Sequence, residues 1–408
     1  MTERQHAAPG PAVQPGPPLT AEQRARAERQ LSLPGFSDDA QRRLANARVL
    51  IIGAGGLGSA SVPYLVGSGV GSGAGCIGIL DDDVVELSNL HRQVTHPTAN
   101  LGKSKTDSLA EAAKNLDPAV NVVTHTLRLT ADNAREIFAG YDLVIDGSDN
   151  FPTRYLANDA AQLAGIPLVW GALLQHHGQV GVAWHAHGPG YRDLFPTPPE
   201  PGTVPSCAVG GVLPGLCGTV GSLLATEALK VITGIGAPLI GRVLVYDALA
   251  ARTREIGYAR DPQAAPVTQL IDYELFCAGP NAAQDVEPER ITATELADLL
   301  RAGEAPALLD VRTAEERAAS RITGAIGVPL ADIEDAVAAG SPLPASLAAL
   351  VAQAAQHGDA PLIVHCARDP RSVRAAQLLA RGGVRTRVVT GGIFEVAEVA
   401  PELIERNA

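Results

Sequence analysis

ARVLIIGAGGLGS, residues 47–59, decides the fold. Val49, Leu50, Ile51 and Ile52 form a short apolar run that ends in glycines, the pattern of a strand buried on both faces. Gly53, Gly55, Gly56 and Gly58 then lie between that strand and a helix. Glycine allows the tight turn and a close backbone approach to a ligand, and a helix N-terminus attracts phosphate. About 20 residues further on, an acid at the end of the second strand accepts hydrogen bonds from ribose hydroxyls in such sites. GILDDDVV places Asp81 there. These positions predict a nucleotide site, though a glycine loop does not by itself select one nucleotide.

Working outward, GCIGIL (75–80), NVVTHT (121–126), DLVIDG (142–147) and PLVW (167–170) repeat the buried-strand pattern. Helix-like stretches such as SKTDSLAEAAKNL and TRYLANDAAQLAG separate them. The alternation predicts an α/β fold with a doubly wound, Rossmann-like sheet. QVGVAW (179–184) and RVLVYDA (242–248) alternate more and predict later, more exposed strands. Residues 1–20 are rich in Pro, Gly and Ala and predict a disordered tail. The first domain is placed at 21–275 and a linker at 276–289. A smaller α/β domain at 290–408 carries ALLDVR, GAIGVPL, PLIVHC and TRVVTGG as strands.

Composition bounds the function. The 408 residues carry 32 Lys and Arg against 44 Asp and Glu, a net charge of −12 that disfavours non-specific nucleic-acid binding. Cys76, Cys207, Cys217, Cys277 and Cys366 form no C-x-x-C pair. So sparse and odd a set argues against a disulfide framework and for a reducing compartment. The N-terminal stretch has no apolar signal-peptide core, and no run of about 18 apolar residues marks a membrane span. A cytoplasmic protein is expected.

Beyond Asp81 the residues do not suit hydride transfer. ELSNLHRQV supplies Asn89, Arg92 and Gln93, LGKSK supplies Lys105, and DGSDN supplies Asp146 and Asp149. All lie near strand ends on the carboxyl edge, where open α/β sheets bind ligands. Two cations, two amides and acids around one glycine turn suit a triphosphate with Mg²⁺. Arg92 and Lys105 would neutralise phosphate charge and Asp149 would hold the metal. Asp146 either joins them or caps the next helix.

RQLSLPGF, ARVLIIGAGGLGS, ILDDDVVELSNLHRQ, GKSK, DGSDN and VLVYDA together resemble the MoeB/ThiF family over roughly 21–275. That family activates ubiquitin-like sulfur carriers with ATP. The resemblance implies that the carrier's C-terminal Gly-Gly carboxylate attacks the α-phosphate, giving an acyl-adenylate and pyrophosphate. It implies ATP contacts from Gly56, Asp81, Asp83, Arg92 and Lys105, and a metal and catalytic role for Asp149. Arg29, in AERQL, matches an arginine that reaches across from a partner subunit, which implies a homodimer. Many relatives hold a structural zinc between two C-x-x-C pairs. Here the matching stretches, 190–193 and 262–266, contain no cysteine, so no structural zinc is expected. His176, His177, His185 and His187 could face one another across a hairpin, although solvated or hydrogen-bonded rings suit them better than a metal. Cys207, in VPSCAVGG, matches a loop cysteine of the family and is read either as a thiol nucleophile or as a small apolar loop anchor. Cys76 and Cys217 are read as core, and Cys277 as a residue of the linker region.

PLIVHCARDPRS puts Cys366 between an apolar strand and a helix N-terminus, whose N–H groups and dipole favour a thiolate. Arg368 and Arg371 add positive charge. A C-x₅-R phosphatase loop is excluded, since position 372 is Ser. The shorter C-x₄-R loop, with LLDVRTAEE, ITGAIGVPL and VVTGG, resembles rhodanese over about 290–400. It departs from that family at Asp369, Pro370 and Arg321, and its aromatic after the Gly-Gly is displaced to Phe394. The combined resemblance implies adenylation followed by sulfur transfer from a Cys366 persulfide to give a thiocarboxylate. Thiosulfate or a cysteine desulfurase would load the sulfur. An NAD(P)-dependent oxidoreductase and a non-catalytic carrier-binding scaffold with a degraded rhodanese domain are the alternatives.

Overall fold

The structure, a computed structural model, describes residues 9–199, 210–278, 287–304, 306–338, 341–356 and 360–406. The chain divides into two compact units, Met1–Gly279 and Pro280–Ala408.

The first unit is built on eight strands: β1 (Arg48–Ile52), β2 (Cys76–Leu80), β3 (Val122–His125), β4 (Leu143–Asp146), β5 (Leu168–Leu174), β6 (His177–Ala183), β7 (Arg242–Asp247) and β8 (Arg252–Gly257). Their spatial order is β3-β2-β1-β4-β5-β6-β7-β8. The strands from β3 to β5 are parallel, and β6, β7 and β8 are added antiparallel. The chain adds β2 and β3 on one side of β1 and β4 and β5 on the other, so this reversal of strand order makes the carboxyl ends of β1 and β4 the switch point where such sheets bind ligands. The fully exposed strand β8 has no apolar alternation and was not visible in the sequence pattern.

The helices are α1 (Ala21–Arg26), α2 (Glu28–Leu31), α3 (Asp38–Asn46), α4 (Gly56–Gly67), α5 (Lys105–Leu116), α6 (Ala131–Phe138), α7 (Phe151–Ala164), α8 (Tyr191–Leu194), α9 (Pro214–Thr233) and α10 (Tyr273–Ala278). Their ends follow from local chemistry. Ser104 caps α5 by accepting from Asp107 N, and Asn150 caps α7 by accepting from Thr153 N. Gly165 and Gly234 close α7 and α9 in the left-handed conformation. Helix α9 is long and apolar enough to cross a membrane, which the sequence reading did not register. It is a core helix here: Leu216, Val220, Leu224, Ala228 and Ile232 are all buried. Helix α10 claims the first residues of the expected linker, and Phe276 and Cys277 pack on the apolar core around Trp170 and Tyr155.

The expected disordered tail is corrected for its described part. Val13 is 4% exposed within the main core cluster, and Ala12 N donates to Val231 O at 2.9 Å. Arg42 holds Gly16 O through Nη2 at 2.6 Å. A Pro-rich segment can be fixed when its carbonyls meet such donors and one apolar side chain finds a pocket.

The second unit has a five-stranded parallel sheet. It comprises β9 (Glu289–Ile291), β10 (Leu308–Asp310), β12 (Ile326–Gly327), β13 (Leu362–His365) and β14 (Thr386–Val389), ordered β12-β10-β13-β14-β9. Strand β11 (Ser320–Ile322) pairs antiparallel with β15 (Ile404–Arg406). Helices α11 (Ala293–Arg301), α12 (Ala314–Ala319), α13 (Leu330–Ala338), α14 (Ala345–Gln356), α15 (Pro370–Arg381) and α16 (Gly392–Val399) complete it. Capping boxes start α11 at Thr292 and α12 at Thr313.

The docked N-terminal segment carries a stability prediction. Deleting residues 1–17 removes the burial of Val13, about 2 kcal/mol. Thermal unfolding should shift down by about 5 °C. A free tail would leave it unchanged.

Candidate active sites

The first site grows from one steric requirement. Gly58 lies so close to the end of β1 that a Cβ on it would sit 2.0 Å from Gly53 O. Gly53 has φ of 89°, which a glycine adopts without strain. Gly55 is the N-cap of α4, and a Cβ on Gly56 would lie 2.8 Å from Cys217 Sγ. Cys217 is therefore core, as the sequence suggested, but it also forms the back wall of the glycine turn.

Polar side chains shape that turn. Asp81 Oδ2 accepts from Ala54 N at 2.7 Å, and Oδ1 accepts from Asp83 N at 2.8 Å. The predicted ribose acceptor is thus first a brace for the glycine loop, with lone pairs remaining for a ligand. Burial pushes its carboxyl up, partly offset by these bonds and by Lys105. Lys105 Nζ reaches Asp83 Oδ2 at 2.7 Å, so two residues expected to meet the nucleotide meet each other. Asn89 is buried and its Oδ1 accepts from Glu86 N, closing the turn Leu87–Asn89. Arg92 lies against that turn through Ser88 O. Gln93 is 3% exposed, with Nε2 beside Gly55, and its buried Oε1 has no hydrogen-bond partner among the described residues. A buried acceptor left unpaired is costly unless a ligand satisfies it.

Asp149 is exposed beyond β4, at the same edge. Asp146 does not cap α7; Asn150 does. Asp146 is fully buried, its Oδ1 accepts from Ser148 N, and its Oδ2 stands 3.9 Å from Arg154 Nε. Burial raises its carboxyl, with Arg154 opposing. Arg29, on α2, is exposed. Its neighbour Gln30 bonds Ser68 O at the far end of α4, roughly 18 Å along the helix from the glycine turn at 1.5 Å per residue. Arg29 thus does not join the site of its own chain.

Sequence reasoning missed His96. Its ring bridges Ala54 O and Ser108 Oγ, each at 2.9 Å, and ties the glycine turn to α5. Burial lowers its proton affinity. The HRQVTHPT stretch offers no periodic signal for it.

The four histidines do not converge. His176 and His177 lie at one end of β6, and His185 and His187 lie beyond the other. The stretches lacking zinc ligands are joined by hydrogen bonds instead. Asp193 Oδ2 accepts from Gly190 N, Asp193 Oδ1 accepts from Asp261 N at 3.0 Å, and Arg260 donates to His185 O and Gly188 O. No thiolate stands there, so this donor set does not suit tetrahedral zinc. Cys277 is packed rather than in a linker, and burial pushes its thiol up to about 11. Cys207 lies outside the described residues.

In the second unit, Cys366 directly follows β13, is 1% exposed, and precedes α15. Ser372 Oγ donates to its Sγ at 3.5 Å. The Gly391–Gly392 turn, with both φ values positive, wraps the loop: Ile393 N donates to Cys366 O at 2.9 Å. A Cβ on Gly392 would lie 2.4 Å from Arg368 O and 2.5 Å from Cys366 O. Asp369, where the rhodanese pattern has glycine, is used. Its Oδ1 accepts from Gly391 N and its Oδ2 from Arg290 Nη1. Arg368 lies over the Phe394 ring. Arg371 is paired with Glu316, whose carboxyl it holds at about 2. Arg321 serves β11 and β15 through Glu405 rather than the sulfur site.

Residues 27–266 match the ThiF family and residues 292–398 a rhodanese-like domain. The chain belongs to the ThiF family. It is 48% identical over 325 residues to the probable adenylyltransferase/sulfurtransferase MoeZ of Mycobacterium tuberculosis, covering 78% of this chain and 82% of that protein. It is 49% identical over 270 residues to the sulfur carrier protein adenylyltransferase of Thermus thermophilus, covering 63% of this chain and 98% of that one. In structure it is similar to E. coli MccB in complex with MccA-N7isoASN, with a TM-score of 0.53 and 18% identity over 63% of this chain and 75% of that one. This last likeness speaks for the fold. The ThiF unit and the rhodanese unit together make the chain an enzyme with adenylyltransferase and sulfurtransferase activities.

Two outcomes follow from this geometry. His96→Ala removes two hydrogen bonds of about 1 kcal/mol each. Its kcat/KM for ATP in pyrophosphate exchange should fall about tenfold or more, with His96→Gln recovering part. Gly392→Ala should abolish sulfur transfer in a thiocyanate assay while leaving exchange at the ThiF unit intact.

Proposed function

We propose that this enzyme adenylates the C-terminal Gly-Gly carboxylate of a ubiquitin-like sulfur-carrier protein and then replaces AMP with sulfur carried on Cys366. The observation that carries the reading is one chain holding a glycine turn ringed by Arg92, Lys105, Gln93 and Asp149 together with a strand-end cysteine at a helix N-terminus.

ATP fits the first site: Gly55 leaves room at the turn, the close packing at Gly53, Gly56 and Gly58 brings the first N–H groups of α4 to the sheet edge, and Gln93 Oε1, unpaired among the described residues, awaits a donor. Asn89, Arg92 and Gln93 line one side, and Asp81 and Asp83 the ribose side. Binding of the triphosphate would draw Lys105 from Asp83 toward phosphate oxygen. Mg²⁺ suits Asp149, an exposed carboxylate at the sheet edge, and would neutralise charge on the departing pyrophosphate. A carboxylate oxygen of the carrier bonds to the α-phosphorus as the bond to pyrophosphate breaks. Stabilising that five-coordinate charge is the work of Arg92 and Lys105. Arg29 completes the site from the other copy of a homodimer.

The persulfide on Cys366 then attacks the acyl carbonyl and AMP leaves, giving an acyl disulfide. A second thiol, for which Cys207 is the candidate, attacks the sulfur of Cys366. The thiocarboxylate leaves, and a protein disulfide remains for a cellular dithiol to reduce. Sulfur reaches Cys366 from thiosulfate or from a desulfurase-borne persulfide. The five dispersed cysteines suit a cytoplasmic setting. With the 190–193 and 260–261 segments clasped by hydrogen bonds, no structural zinc is required.

The two steps separate cleanly by mutation. Asp149→Ala should eliminate carrier-dependent pyrophosphate exchange and keep rhodanese turnover, and Cys366→Ala should do the reverse. Thiocarboxylate formed by Cys366→Ala at the wild-type rate, read as carrier mass, contradicts the sulfur-relay reading. Prolonged chelation followed by gel filtration should leave thermal unfolding of the ThiF unit unmoved.

A further inference from the structure

Arg371 meets Glu316 fork to fork: Nη1 donates to Oε2 and Nη2 to Oε1, each at 2.7 Å. Bidentate pairing of this kind occupies the face of the guanidinium that an anionic ligand would use. Glu316 is held independently of Arg371. It lies in α12, and its Oε2 also accepts from Thr313 N in the capping box at the start of that helix. The pair is partly buried, with side-chain exposures of 20% for Arg371 and 35% for Glu316, so water screens it incompletely. The rest of the loop adds little net charge. Asp369 is itself anionic and bonded to Arg290 and Gly391 N, Pro370 has no N–H, and Arg368 lies over Phe394.

The charge matters because sulfur donors differ in it. With thiosulfate, the Cys366 thiolate attacks the outer sulfur of a dianion. The new S–S bond forms as the old one breaks, and sulfite leaves with the electron pair. Three negative charges converge in that step. With a persulfide, R–S–SH, the thiolate attacks the outer sulfur and R–S⁻ leaves, so one negative charge is present throughout. Neither route needs an oxidant or reductant.

We propose that Glu316 is a specificity-determining residue of the sulfur site. By occupying the guanidinium fork of Arg371, it withholds the positive charge that a small dianionic donor needs and favours donors whose sulfur arrives on a neutral persulfide. This rests on the sulfur-transfer reading above.

The test uses the full chain with thiosulfate and a neutral alkyl persulfide as donors, following Cys366 persulfide by mass and turnover with cyanide. Glu316→Gln should raise kcat/KM for thiosulfate about tenfold, chiefly through KM and more at low salt. Its value for the alkyl persulfide should stay within about twofold, as expected for a donor that carries no charge to the loop. Adding Arg371→Ala to Glu316→Gln should erase the thiosulfate gain. Glu316→Ala, checked for unchanged thermal unfolding, should behave as Glu316→Gln does. Equal losses with both donors would make the pair a scaffold for the loop, and an unchanged thiosulfate constant would show that the charge is irrelevant. Either result overturns the proposal. If the unmutated chain loads no sulfur on Cys366 from either donor, it is the sulfur-transfer reading that fails.

Discussion

The contact between the first turn of α4 and the end of β1 constrains everything around it. No side chain fits there, since a Cβ on Gly58 would be 2.0 Å from Gly53 O. Because the helix rests directly on the strand, its first N–H groups are brought to the switch point between β1 and β4. Asp81, His96 and Cys217 then fix the turn from three sides. Such bracing reduces the reorganisation needed when a charged ligand arrives, which is the source of electrostatic preorganisation.

The rhodanese unit solves a related problem with other residues. The Cys366 sulfur also sits between a parallel strand and a helix N-terminus, and again a glycine lets two backbones meet, Gly392 against Cys366 O. The polar supports differ. The nucleotide turn leaves a buried acceptor on Gln93 unpaired among the described residues, whereas in the sulfur loop Asp369 and Arg371 are both in ion pairs.

Much of this was legible in the chain itself. Apolar runs marked β1, β2 and β4, ending at Gly53, Asp81 and Gly147, and the LIVHC run marked Cys366, because buried parallel strands and their turns depend on local composition. The spacing of Asp81, Arg92, Lys105 and Asp149 pointed to the carboxyl edge for the same reason. What was hidden depends on distant partners. Glu316 and Arg371 are 55 residues apart, Ala12 bonds Val231 on a helix far along the chain, and the roles of His96 and Asp369 exist only once loops are folded. Asp83 and Lys105 show the same limit: each was assigned to the ligand singly, and only the structure shows them bonded to each other.

The central claim is that a carboxylate is activated at the glycine turn by attachment to AMP and then exchanged for sulfur. Labelling both oxygens of the carrier's terminal carboxylate with ¹⁸O and analysing the released nucleotide by mass spectrometry tests it directly. The account predicts one ¹⁸O in AMP for each thiocarboxylate formed. Label in inorganic phosphate, or unlabelled AMP beside thiocarboxylate product, would contradict it.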